Sequence, residues 1–244
     1  MKKYFAFLII IFAFSSHGFA KQHILFIVNP ISQGIRDINI EQAIKSNLDG
    51  RRFTYEIAYT QKAGHATEIA HEAISKSVDI VAAVGGDGTV NEVGKALINS
   101  DVAMAIIPIG SGNGLARHLQ LPLEVDEAIR AINRANVGVI DTAEVNGKPF
   151  LGVAGIGFDA HVAEAFAHFE KRGFSSYCQV AFQEYGMYKS QIYVIDIDGK
   201  RFKKKAFILS FANSSQYGNH FTFGPGRTNF MILLFQIIWI ISSI

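Results

Sequence analysis

An apolar run that ends abruptly in a glycine-rich loop constrains this chain more than any other feature. Val78–Val84, apolar except for Asp79, passes directly into Gly85-Gly86-Asp87-Gly88-Thr89, and a helical pattern follows over Thr89–Asn99. A short continuous apolar run predicts a strand covered on both faces, as in a parallel sheet. The same sequence of events recurs. Ile24–Val28 ends in Asn29-Pro30, and Ile40, Ala43, Ile44 and Leu48 then fall at helical spacing before the stop signal Gly50. Phe53–Tyr59 alternates like a strand, and Ala66, Ile69, Ala70, Ala73 and Ile74 mark the inner face of the next helix. Ala103–Ile109 leads into Gly110-Ser111-Gly112-Asn113-Gly114, and a last helix is predicted over Val125–Asn133. Strand and helix alternating with short connections predict an α/β domain of Rossmann-like type over 22–136.

The pattern changes near Asn136. Val139–Val145 and Pro149–Val153 flank Asn146-Gly147, the preferred two-residue hairpin turn. Gln191–Ile197 and Arg201–Ala212 flank Asp198-Gly199 in the same way, with a helical stretch near Ala160–Glu170 between the two hairpins. Hairpins in place of crossover helices predict a β-rich unit over 137–226.

Three loops follow three apolar strands, and all are suited to close approach by a ligand: Asn29–Gly34, Gly85–Thr89 and Gly110–Gly114. In open α/β sheets ligands sit beyond the carboxyl ends of the strands. Glycines let backbone amides reach phosphate oxygens, and a helix start adds its positive end to the same site. A single such loop would be an ordinary turn. Three on successive strand–helix connections, one with an acid, a hydroxyl and Asn91-Glu92 one turn on, point to an anion site. Neither the Walker pattern nor Gly-x-Gly-x-x-Gly is present, so the site belongs to another nucleotide-binding class.

Composition removes other classes. Net charge is +2, and no charge tract of the kind that displaces counterions from nucleic acid occurs, so no nucleic-acid partner is expected. The lone Cys178 precludes an intramolecular disulfide, and the eight histidines show no metal-ligand spacing. The two ends are unlike the rest. Residues 1–21 have Lys2 and Lys3, an apolar run from Tyr4 to Phe14, then Gly18-Phe19-Ala20, the layout of a secretory leader or a membrane anchor. That run is shorter than the roughly 20 residues a membrane span needs. Phe230–Ile244 is a second apolar stretch, and residues 227–244 are expected to stand apart from the preceding unit.

"VAAVGGDGTVNEV" at 81–93, "IIPIGSGNGLARHL" at 106–119 and "FLGVAGIGFDAHVAE" at 150–164 together resemble the diacylglycerol kinase catalytic family, which includes bacterial lipid kinases and sphingosine kinases. The resemblance runs from about Gln22 to Pro225. It implies an N-terminal domain holding ATP with Mg²⁺ and a C-terminal β-sandwich, here incomplete, with a lipid head group in the cleft between them. The resemblance implies that Asn29, Pro30, Ser32 and Gly34 line the nucleotide phosphates, with Gln33 where many relatives have glycine. It likewise implies that Thr60 touches the nucleotide and that Gly85, Gly86, Asp87, Gly88, Thr89 and Asn91 cradle phosphates. Asp87 would serve catalysis through ATP–Mg²⁺, and Gly110 and Ser111 would complete the third loop; metal ligands beyond Asp87 are not assigned. Asp159 in the Gly155–Asp159 turn is either a helix cap or a substrate contact.

The family's acidic Asp-Gly-x-x-Asp segment and its late acidic base have no counterpart here, and a truncated sandwich is the expectation. Two function classes follow: an ATP-dependent lipid kinase acting on a diacylglycerol or sphingoid hydroxyl at a membrane surface from the cytoplasm, or a catalytically incomplete nucleotide- or lipid-binding remnant. A kinase for a soluble substrate is a third reading, and the second and third motifs argue against it. The basic run Lys200, Arg201, Lys203, Lys204, Lys205 is either a solvated edge strand or a contact with anionic lipid.

Overall fold

A computed structural model describes residues 20–32, 38–169, 174–197, 199–214, 216–218, 221–222 and 231–235. The signal-like segment lies outside the described residues except at its end, as do Gly34 and most of the terminal tail. The first half runs β1 (Gln22–Val28), α1 (Ile40–Asn47), β2 (Phe53–Tyr59), α2 (His65–Ser75), β3 (Ile80–Gly85), α3 (Asp87–Leu97), β4 (Ala103–Pro108), α4 (Gly114–His118) and α5 (Val125–Ile132). Its four strands form one sheet in the order β2-β1-β3-β4, and every pairing is parallel. This is the α/β arrangement the alternation predicts.

The continuous apolar strands are explained by burial on both faces. On one face Leu25, Ile27, Val81, Ala83 and Ile106 pack with Ala66, Ala70 and Ala73 of α2 and Val90, Val93 and Leu97 of α3. On the other, Ile24, Phe26, Val28, Ile80, Ala82, Val84 and Ile107 pack with Ile40 and Ile44 of α1 and Ala128 and Ile129 of α5. Each fully buried aliphatic or aromatic side chain contributes about 1.5–3 kcal/mol, so alternate residues of one strand hold both helical layers. The Asn39 side chain caps α1 by accepting the Gln42 N–H at 3.0 Å.

Two local predictions need revision. The helix predicted from Thr89 begins at Asp87, so the glycine-rich loop is itself the first turn of α3. The short α4 went unpredicted, since Gly112 and Gly114 mask it in a propensity reading.

The second half contains β5 (Ala143–Val145), β6 (Lys148–Phe150), β7 (Val153–Gly157), α6 (Phe158–Ala167), α7 (Phe174–Tyr185), β8 (Gln191–Ile197), β9 (Lys200–Ala206), β10 (Ile208–Ala212), β11 (Gln216–Gly218), β12 (Phe221–Thr222) and β13 (Met231–Phe235). It is sheet-rich and its pairings are antiparallel. The first hairpin turns at Asn146 and Gly147 with φ of 52° and 72°, as the Asn-Gly signal predicts, but its arms are three residues each. Residues 139–142 are not strand, and Val139 is 100% exposed. Val153 instead opens β7, which pairs with β10.

The second predicted hairpin is also divided. Its return arm breaks at Phe207, whose carbonyl accepts the Phe158 N–H at 2.9 Å, so β9 pairs with β8 whereas β10 joins β7 and β13. The helical insertion begins at Phe158 and is followed by a second helix, α7, which the sequence reading did not include. The apolar tail, expected to stand apart, supplies β13 alongside Ile208–Ala212. A run of Met-Ile-Leu-Leu-Phe pairs the backbone groups on its β10 side by joining a sheet edge.

Phe150, Ile195, Leu209 and Phe211 form the core of this half. Leu151 ties the halves together: it belongs to the core beneath α3, and its side chain fills the space a Cβ on Gly94 would need.

Candidate functional site

The sheet order decides where a site can lie. From β1 the chain passes to β2 on one side and then returns to β3 on the other, which opens a crevice at the carboxyl ends between oppositely directed crossovers. Thr60 after β2, Asn29 after β1, Gly86 after β3 and Gly110 after β4 therefore stand in spatial order along one edge. The Thr60 N–H donates to the Val28 carbonyl at 2.9 Å, the Asn29 N–H to Val84 at 3.0 Å, and the Ile109 N–H to Gly85 at 3.0 Å. These bonds carry the sheet ladder up to the base of each loop.

The first loop turns on Asn29. Its Oδ1 accepts the Ile31 N–H at 3.1 Å, and its carbonyl accepts the Ser32 N–H at 3.2 Å across Pro30. Proline at the second position of a turn, with asparagine at the first, is the expected chemistry. Asn29 Nδ2 donates to Thr89 Oγ1 at 3.1 Å, joining the first loop to the second. Thr89 is 5% exposed, and its side chain occupies the space above Gly85 that a Cβ would fill.

The second and third loops touch through backbone alone. A Cβ on Gly110 would lie 2.5 Å from the Gly86 Cα, and one on Gly86 would lie 3.2 Å from the Gly110 Cα. Gly86 caps α3 with no side-chain hydrogen bond. The first amides of α3 thus lack intrahelical partners, and the helix's positive end faces the loops. Gly88 has nothing within 4 Å of where its Cβ would be, and Ser111 is exposed. Asn91 lies one turn into α3, half-buried.

Asp87 is not a free carboxylate. Its Oδ1 accepts the Gly114 N–H at 2.7 Å, so the side chain caps α4 from α3. Desolvation raises its pKa above the ordinary carboxylate value, while backbone amides at Gly114, Asn113 and Leu115 oppose that shift. The carboxylate therefore braces the second loop against the third.

Two residues were not predicted to have these roles. Asn113, in the left-handed conformation at φ 53°, accepts the Gly110 N–H at 3.0 Å and donates to the Gly110 carbonyl at 2.7 Å, closing the third loop on itself. Asparagine's tolerance of that conformation was the available signal. Glu92 reaches across to α2, accepting the Gly64 N–H at 2.9 Å and the Ala66 N–H at 3.2 Å, while Thr67 Oγ1 donates to the Glu92 carbonyl at 3.0 Å. That pairing depends on tertiary contact and has no local signature.

Asp159 is not the N-cap of α6. Gly157, at φ 99°, is the residue preceding α6, and Asp159 lies within the first turn. Tyr177 Oη donates to Asp159 Oδ1 at 3.2 Å. Burial raises the Asp159 pKa and the tyrosine hydrogen bond opposes it, while desolvation pushes the Tyr177 hydroxyl up as well.

For the phosphates of a nucleotide the loops fit: a start of α3 that no side chain of Gly86 caps, glycines that exclude side chains, and the exposed hydroxyl of Ser111. For Mg²⁺ they supply Asp87. Among the described residues no three His, Cys, Asp or Glu side chains gather as a metal site. Magnesium is commonly held by one or two carboxylates together with substrate phosphates, and a single acid suits that mode.

Residues 23–145 match the family described as the diacylglycerol kinase catalytic domain. A Synechocystis protein described as uncharacterized is 29% identical over 225 residues, covering 85% of this chain and 50% of that protein. A Yersinia enterocolitica protein named "Probable lipid kinase YegS-like" is 33% identical over 145 residues, covering 57% of this chain and 48% of its own length. A crystal structure of a diacylglycerol kinase from Bacillus anthracis aligns with a TM-score of 0.56 at 26% identity, covering 80% of this chain and 64% of that one. The chain spans about half the length of the curated relatives it matches.

Proposed function

This chain belongs to the diacylglycerol kinase catalytic-domain family, and on that premise we propose that it is an ATP-dependent lipid kinase. It transfers the γ-phosphate to a hydroxyl of diacylglycerol or of a sphingoid-type lipid, working on a membrane from the side where ATP is found. The observation that carries this reading is the backbone contact of Gly86 with Gly110 beside the uncapped start of α3. Phosphoryl transfer consists mostly of positioning and charge neutralisation, and that arrangement offers amides and a helix end to phosphate oxygens. Mg²⁺, held by Asp87 and the phosphates, would neutralise charge on the transferring group. Asn29, Pro30, Ser32 and Thr60 border the same edge and would complete the nucleotide's surroundings, with Gly34, outside the described residues, added by the family resemblance alone.

The test is transfer of labelled phosphate from ATP into extracted lipid by the chain as it stands. Asp87→Asn is expected to lower turnover on the order of 100-fold, the loss typical of removing one charge-stabilising group. Unchanged turnover in that variant would refute its role.

A second reading, a nucleotide- or lipid-binding remnant, is favoured by one observation: the Asp87 carboxylate is already committed to α4. Under that reading ATP binds, no lipid is labelled, and Asp87→Asn loses stability in place of activity.

A further inference from the structure

The β8–β9 hairpin carries a basic run that nucleotide binding does not use. Its register sorts the run onto two faces. Tyr193, Ile195 and Ile197 point to the inner side, where they pack with Leu209 and Phe211. Ile192 and Val194 therefore project the other way, 60% and 63% exposed. Across the ladder from them stand Lys205 and Lys203, with Arg201 opposite Asp196, and all three cations are exposed. Arg201 pairs with Asp196 at 3.5 Å, whereas Lys203, Lys204 and Lys205 have no ion-pair partner among the described residues.

We propose that this outer face docks the chain onto an anionic lipid surface. Residues 191–206 carry five cations and two acids, a surplus greater than the net +2 of the whole chain. Aliphatic side chains interleaved with cations suit the interface of a bilayer: Ile192 and Val194 enter the boundary between head group and acyl chain while the ammonium groups meet lipid phosphates. Nucleic acid suits the face less well, because it rewards aromatic stacking and offers nothing to two branched aliphatics. A second copy would set like charges against each other. The inner face of the hairpin also touches the Gly155–Asp159 turn, since a Cβ on Gly157 would lie 3.0 Å from Tyr193 Oη. Docking would therefore hold that turn close to the membrane. The inference rests on the lipid-kinase reading for its purpose, but its test requires no catalysis.

The test is cosedimentation of the full chain with phosphatidylcholine vesicles, with and without phosphatidylglycerol, in the absence of nucleotide. Binding is expected only with phosphatidylglycerol and should weaken as salt rises. Lys203→Gln with Lys205→Gln should weaken it roughly 25-fold, about fivefold per cation. Ile192→Ser with Val194→Ser should weaken it by at least about tenfold with the charge unchanged. All four positions are exposed, so both double variants should unfold at the wild-type urea midpoint, and either one decides the matter if the other does not fold. Four results would overturn the proposal: no binding, equal binding to phosphatidylcholine alone, vesicle binding unchanged in both variants, or self-association or duplex binding through these residues in place of vesicle binding. Because no nucleotide is present, a failed kinase assay and a failed vesicle assay remain separate results.

Discussion

Gly110 has so little room above it that its replacement is the sharpest test of the site at the scale of single residues. The Cβ of Gly110→Ala would stand 2.5 Å from the Gly86 Cα and 2.9 Å from Asn113 Oδ1. The Gly86 neighbour is backbone and cannot turn aside, and the Asn113 side chain is tied to Gly110 by two hydrogen bonds, so the loops must part. We expect a loss of about 1–3 kcal/mol in urea unfolding, together with weakened ATP binding by calorimetry. Gly88→Ala, with open space at its Cβ, provides the contrast and should leave stability within a few tenths of a kcal/mol apart from helix propensity. The glycines were legible as loop formers from the sequence. Which of them are packed, and against what, was not, because that depends on two loops 25 residues apart meeting at adjacent strand ends.

Helix capping across elements dominates the next scale. α2 has no side-chain cap of its own at Gly64, and Glu92 on α3 accepts its amides instead. Glu92→Ala leaves two amides of α2 without that partner and removes a negative charge from the positive end of the helix. A loss of about 1 kcal/mol in chemical denaturation is expected, with faster amide exchange at residues 64–67. Glu92→Gln should retain part of the capping and fall between the two. Capping of α4 by Asp87 is built in the same way, from one helix to the start of the next. Periodicity located α1, α2, α3 and α5 because each carries an apolar stripe. It missed α4, which is a single turn held by a distant carboxylate, and α7, whose apolar residues include the exposed Phe182 and Tyr185.

At the scale of the whole molecule, Leu151 joins the α/β half to the sheet-rich half. It is 4% exposed and packs against Gly94 in α3. Leu151→Ala should cost about 2–5 kcal/mol, and fluorescence and circular dichroism should register the loss at one midpoint if the halves unfold together. What the sequence determined by itself was the class of each half and the place of the loops. A buried parallel strand must be apolar throughout, and a two-residue hairpin turn demands residues such as Asn146 and Gly147 that tolerate positive φ. Both requirements are local and leave a local mark. Tertiary structure alone decided that β9 and β10 part at Phe207, that β13 joins β10, and that Asp87, the centre of the glycine-rich segment, spends its carboxylate on α4. Those outcomes turn on which distant backbone group lies within hydrogen-bond reach, and no spacing along the chain encodes that.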